Sequence, residues 1–182
     1  MPDRLHFTDS DEANELIAND PMALLIGFAL DQQVTVSQAF LGPLRLRERV
    51  GSLDASALAA ADLEPAFREK PAIHRFPAKM AQRVHELAAH VRDRYGGDAA
   101  RVWEDAADGE ELRAHMAALP GFGEMKIKAL SAVLAKRFGV ATARELVPSH
   151  PTLGDVDSHQ ALLDYQAAKR EHKLSLKAGR TR

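Results

Sequence analysis

In FPAKMAQRVHELAAHVRDRYGG, residues 76–97, the apolar side chains Met80, Val84, Leu87, Ala88 and Val91 recur at three- and four-residue steps until Gly96-Gly97 stops the run. Such steps line up on one face of an α-helix and cannot share one face of a strand, whose side chains alternate. The segment is therefore a long amphipathic helix that must bury its stripe against other elements. The rest of the chain repeats the pattern. Asp9 or Ser10 caps DEANELIAND, with Leu16 and Ile17 facing inward. Pro21 opens PMALLIGFAL, apolar on nearly every side and hence a buried helix. VTVSQAFLGPLRLRERVG is helical, with a break or kink expected at Gly42-Pro43. DASALAAADLEPAFRE gives two short helices; DAARVWEDA and DGEELRAHMAAL give two more. GEMKIKALSAVLAKRFG is closed by Gly139, and ATAREL and SHQALLDYQAAKREHKLSLK complete the chain. No stretch alternates as a strand does, so the fold class is all-α. Residues 140–157, with Pro148 and Pro151, read as the loosest part.

The chain has 182 residues, 46% hydrophobic and 27% charged, an ordinary globular profile with room for one domain or two small lobes on a shared core. It contains no cysteine, which excludes disulfides, thiolate zinc sites, a cysteine nucleophile and a cysteine-ligated iron–sulfur cluster. No apolar run approaches the roughly 18 residues a membrane helix needs, and the polar start has no signal-peptide core. The expectation is a cytoplasmic protein, nucleoid-associated in a bacterium, with no membrane partner. The formal net charge is −2, but it is unevenly spread. Residues 1–20 carry six carboxylates against Arg4 alone; residues 165–182 carry six basic side chains against Glu171. A basic tail can dock on phosphate, or can simply be solvated and frayed. The eight histidines form no HExxH-like ligand pair, so a zinc site is not indicated.

MAALPGFGEMKIKAL turns a helix back on itself through Leu119-Pro120-Gly121-Phe122-Gly123. Glycines accept backbone conformations closed to other residues and leave room for a ligand. The first N–H groups of the following helix lack intrahelical acceptors, and the helix dipole there favours an anion. Lys126 and Lys128 add charge just inside that helix. The corner can hold one backbone phosphate without reading sequence, or it can be a packed αα-corner.

L-P-G-x-G followed by a lysine-bearing helix resembles the helix-hairpin-helix of the base-excision DNA glycosylases. Three further segments resemble elements of that family, in the same order along the chain. LLIGFALDQQVTVSQAF is similar to its early helix with a Gln-Gln-x-Thr motif, HRFPAKMAQRVHELAAHV to its lysine–alanine segment before a long helix, and VDSHQAL to the element bearing its aspartate. The resemblance spans roughly residues 20–165. It implies a two-lobed fold: a six-helix barrel over residues 23–130 ending in the hairpin, and a second lobe from residues 1–22 with 131–182, of which 173–182 form a basic tail.

The same resemblance implies a monofunctional DNA N-glycosylase, expected as a monomer, that hydrolyses the bond to a damaged or mispaired base in double-stranded DNA after flipping the nucleotide out. Gln33, with Gln32 beside it, matches the residue that fills the vacated stack. Gly121, Phe122, Gly123, Met125, Lys126 and Lys128 fall on the DNA-binding hairpin. Asp157 matches the carboxylate that stabilises the developing sugar cation and activates water; Asp155 is a second candidate, and His159 fills the motif's histidine position. Asp157 or Ser158 could equally cap the next helix. Some members hold an alkali cation on hairpin carbonyls, here those of Ala117, Leu119 and Phe122; no other cofactor is required. The chain departs from the family twice. Met125 stands where lyase-type members carry a nucleophilic lysine, so strand cleavage is not expected, and Lys126 should point about 100° away around the helix. The stretch from Met125 to Asp157 is longer than in the family. The alternative to catalysis is a DNA-binding or lesion-sensing protein. Phe28, Phe40, Phe76, Tyr95, Trp103 and Tyr165 are available to stack on an extruded base, though helical spacing assigns most of them to the core.

Overall fold

The computed structural model describes residues 2–180, among which there is no strand. α1 (Asp11–Asn19) starts at Ser10, whose hydroxyl accepts from the Ala13 N–H, and α2 (Pro21–Leu30) starts at Asp20, whose carboxylate accepts from the Met22 and Ala23 N–H groups. α2 is buried along its whole length after Pro21, as its unbroken apolar sequence requires. It packs against α1 and against α3 (Val36–Val50). The crossing of α2 and α3 is tight because Gly27 lies beneath Phe40. That ring is itself held edge-on between Phe7 and Phe28, with centroids 5.0 Å away on both sides. A Cβ on Gly27 would stand 2.3 Å from Phe40 Cδ1. Since Phe40 has no free direction in which to move, Gly27→Ala is expected to destabilise the fold by about 1–3 kcal/mol, read as a lower urea midpoint with an unchanged slope.

α3 runs unbroken through Gly42-Pro43, so the expected break is absent. A buried proline removes one donor, that to the Ala39 carbonyl. Its neighbour Gly42 meanwhile packs so closely on Leu30 that a Cβ would meet Leu30 Cδ1 at 2.5 Å. Both residues are buried, and packing on both sides keeps the helix continuous.

α4 (Ala55–Ala60) and α5 (Glu64–Arg68) are the two short helices read from DASALAAADLEPAFRE, and both pack on α6 (Pro77–Tyr95). The stripe Met80, Val84, Leu87, Ala88 and Val91 is buried, and Gly96 ends α6 at φ 62°. Arg49 of α3 fixes the chain that leads into α6: its guanidinium donates to the Ala66 and Glu69 carbonyls at 2.8 Å each and to the Pro71 carbonyl at 2.7 Å. α7 (Arg101–Glu104) and α8 (Gly109–Ala117) lead to the hairpin and α9 (Glu124–Arg137).

Residues 140–157 are not loose. They form two 3-10 turns, Ala141–Leu146 and Leu153–Asp155, both seated on α9. Thr152, Leu153, Gly154 and Val156 are buried, and a Cβ on Gly154 would lie 2.7 Å from the Ala132 carbonyl group. Arg137 Nε donates to the Gly154 carbonyl at 2.8 Å, and Thr152 and Asp155 cap one another. Pro148 and Pro151 lie outside both turns, so they signal the bend between them and not a disordered segment. α10 (His159–Arg180) begins at Ser158, whose hydroxyl accepts from the Ala161 N–H at 3.1 Å, and continues through the basic tail to the end of the described chain. The acidic N-terminal segment is matched elsewhere: Arg4 pairs with Asp11 and Glu15, Arg47 with Glu12, and His159 stands 3.5 Å from Asp9.

Candidate nucleic-acid interface

The hairpin between α8 and α9 has the backbone the glycines predict. Gly121 sits at φ 79°, and Gly123 precedes α9 in extended conformation with no side chain to cap the helix. Among the described residues, the N–H groups of Gly121, Gly123, Glu124, Met125 and Lys126 meet no acceptor. A Cβ on Gly123 would meet nothing within 4 Å, so this donor edge is open to an incoming group. Glu124 would oppose an anion there, but its carboxylate is drawn aside into an ion pair with Arg113 of α8.

Arg83 completes the corner, and sequence reading missed it. It comes from α6, and its guanidinium lies directly over the hairpin: a Cβ on Gly121 would fall 1.6 Å from Arg83 Nη1. Gly121 is thus fixed twice, by its positive φ and by the arginine above it. Arg83 is half-buried and makes no hydrogen bond or ion pair with a described residue, so its forked donors remain available beside the bare amides.

Three side chains that follow Glu124, those of Met125, Lys126 and Lys128, diverge. Met125 points outward and is 85% exposed, and Lys128 is exposed. Lys126 turns inward. Its ammonium donates to the Ala29 carbonyl at the end of α2 (3.1 Å) and lies 5.8 Å from the centre of the Phe122 ring. Burial lowers its pKa, with partial relief from Asp31. A cation at a helix C-terminus is favourable, so Lys126 ties the hairpin to α2, and Lys128 is left as the lysine of this turn that can face a strand.

The same end of α2 supports the glutamine loop. His74 is buried; its Nε2 lies 3.1 Å from both the Leu30 and the Gln32 carbonyls, and its Nδ1 accepts from the Phe76 N–H. Carbonyls only accept, which puts the proton on Nε2 and keeps the ring neutral. Gln32 is half-buried, whereas Gln33 is exposed at φ 58°, a left-handed conformation rare for a residue with a side chain. Gln33 is one wall of an open groove of about 510 Å³ whose other polar walls are Thr35, Arg75 and, from α10, Gln166, Lys169, Arg170 and Lys173. Arg75 also stacks on Phe76, 5.0 Å from the ring centre, leaving Phe76 39% exposed beside it. Of the candidate stacking residues, Phe28, Phe40, Tyr95 and Trp103 are buried; Phe76 and the half-buried Tyr165 remain at the surface.

Burial depresses the His74 pKa more than its two carbonyl contacts raise it, and burial with Arg94 depresses that of His90. A histidine whose folded pKa lies below its unfolded value of about 6.5 stabilises the fold fully above that pH and loses the contribution on acidification. The melting temperature is therefore expected to fall between pH 7 and pH 5.5. His74→Gln should flatten that slope in part, the remainder belonging to His90.

The candidate carboxylates lie elsewhere. Asp155 is held by Lys136 at 2.5 Å and by the Thr152 N–H at 2.9 Å, which, against the opposing effect of burial, leaves its carboxyl below its ordinary value. Asp157 is exposed just before α10, following the turn packed on Ala132 and Arg137 in the far half of α9. His159 beside it faces Asp9. Ten residues of α10, about 15 Å at 1.5 Å per residue, separate His159 from the Lys169 of the groove. Among the proposed cation ligands, the Leu119 carbonyl accepts from the Phe122 N–H at 3.2 Å, while the carbonyls of Ala117 and Phe122 accept from no described residue. Oxygen donors with lone pairs to spare fit a hard cation in type. No family model, no curated protein and no solved structure matches the chain.

Proposed function

We propose that this chain is a DNA-repair protein of the helix-hairpin-helix glycosylase type, which grips one strand of a damaged duplex, extrudes a nucleotide and hydrolyses its N-glycosidic bond. One observation carries the reading. The open donor edge of the hairpin with Arg83, and the cationic groove with Gln33, hang on the same end of α2, through Lys126 and His74 respectively. A phosphate on the hairpin leaves the adjacent strand over the groove, where Gln33 can enter the stack and Lys169, Arg170 and Lys173 can meet flanking phosphates. On this reading the barrel of residues 23–130 carries the grip, and the second lobe, residues 1–22 with 131–182, supplies the far wall. Water is the nucleophile, since Met125 offers no amine.

Incubation of the full chain with duplexes bearing a panel of damaged or mispaired bases, followed by alkali, is expected to reveal strand breaks at one class of lesion and none without alkali. The exposed position of Asp157 ahead of α10, before the helix reaches the groove, favours a second reading, a lesion sensor that keeps the grip and the wedge without the chemistry. Tight lesion binding with no alkali-labile site at any lesion would select it.

A further inference from the structure

A carboxylate stands at the end of α2 to which both the hairpin and the glutamine loop are tied. Asp31 caps α2, its N–H bonding back to the Phe28 carbonyl at 3.2 Å, and it immediately precedes Gln32 and Gln33. Its side chain is half-buried and makes no hydrogen bond or ion pair with any described residue. Lys126 of α9 and Lys169 and Lys173 of α10 lie within coulombic reach, and Tyr165 of α10 adjoins it. The Lys126 ammonium donates to the Ala29 carbonyl and makes no hydrogen bond to Asp31. Loss of solvent outweighs all three cations, so the Asp31 carboxyl is raised above its ordinary value, and its charge adds to burial in raising the Tyr165 phenol. A poorly solvated carboxylate without a bonded partner is a standing cost to the fold, and such groups concentrate where chemistry needs them.

The placement fits the reaction. Two residues of chain span at most about 7 Å, so a Gln33 side chain filling a vacated stack brings the sugar of the extruded nucleotide to the neighbourhood of Asp31. Lys169 and Lys173, within coulombic reach of that carboxylate, line the groove along which the flanking phosphates would run. Resting on the glycosylase reading, we propose that Asp31, in place of Asp157, is the carboxylate that faces the sugar cation and takes the water proton. The C1′–N bond breaks with its electron pair leaving on the base, which takes up a proton from solvent. The water oxygen bonds C1′, and Asp31 accepts one water proton and returns it to solvent.

A probe that carries the charge without the lesion tests this directly. The full chain is titrated with two duplexes, one holding a cationic pyrrolidine in place of a nucleotide and one holding the neutral tetrahydrofuran analogue. The wild type is expected to bind the cation tighter by at least about a hundredfold, the modest end for a transition-state mimic. Asp31→Asn is expected to erase that preference while binding the neutral analogue as the wild type does. Its melting temperature should hold or rise, because removing an unpaired, desolvated charge relieves the fold. A preference retained in Asp31→Asn, or lost in Asp157→Asn, overturns the assignment and leaves the glycosylase reading standing. A fall in the melting temperature of Asp31→Asn marks an ion-pair anchor for the lysines and also overturns it. If the wild type binds both duplexes equally, the glycosylase reading fails together with the proposal.

Discussion

Gly121→Val is expected to abolish most of the duplex-DNA affinity, by tenfold or more, in a protein that still folds. Two effects combine. A β-branched residue at φ 79° is a steric outlier, of order 1–2 kcal/mol in local strain, and any Cβ there collides with Arg83, so the guanidinium must leave the hairpin. A charge-assisted hydrogen bond is worth roughly 1.5–3 kcal/mol, so losing Arg83 and one bare amide together exceeds the 1.4 kcal/mol that makes a tenfold change. Arg83→Ala isolates the second effect. It should weaken binding about equally across DNA sequences and flatten the dependence of log affinity on log salt by about one. Fluorescence anisotropy on an undamaged duplex over a range of salt reads both variants; wild-type curves from either would show that the hairpin is a packing corner with no role in binding.

The second large effect belongs to α10. Changing Lys169, Arg170 and Lys173 together to glutamine keeps good helix formers and length while removing three of the groove's four cations. If each meets a phosphate, the salt slope should flatten by roughly 2–3, at about 0.9 per contact, with an affinity loss of tenfold or more at physiological salt. The melting temperature should change little, because these side chains form no ion pair with a described residue and sit on an exposed helix. An unchanged salt slope would mean that DNA does not enter the groove.

Much of the helical framework was legible because burial follows periodicity. The stripe from Met80 to Val91, the serine cap of α1, the proline that opens α2, and the glycine stops after α6 and α9 all act locally, within a turn or two of the residues that encode them. The continuity of α3 was not legible, since it depends on Leu30 and Ile73 closing around Gly42 from other segments. Nor was the order in residues 140–157: Gly154 reads as a loop residue until Ala132 is placed beside it. The candidate site divides the same way. Gly121, Gly123 and Gln33 could be found because a turn advertises its glycines and a paired glutamine stands out, whereas the Phe122 ring is buried under Lys126 and its N–H is taken by the Leu119 carbonyl. Arg83 could not, being one of several cations on the polar side of α6 until the hairpin is brought beneath it. Lys126 was visible as a charge, but which way it points is set by α2, nearly a hundred residues upstream.

The groove draws on Gln33, Arg75 and the stretch from Gln166 to Lys173, three parts of the chain that meet only in the finished molecule. Its last wall comes from α10, more than a hundred residues along the chain from Gln33. A fragment ending before residue 159 would therefore keep the corner and the glutamine loop yet have no opposite bank to the groove.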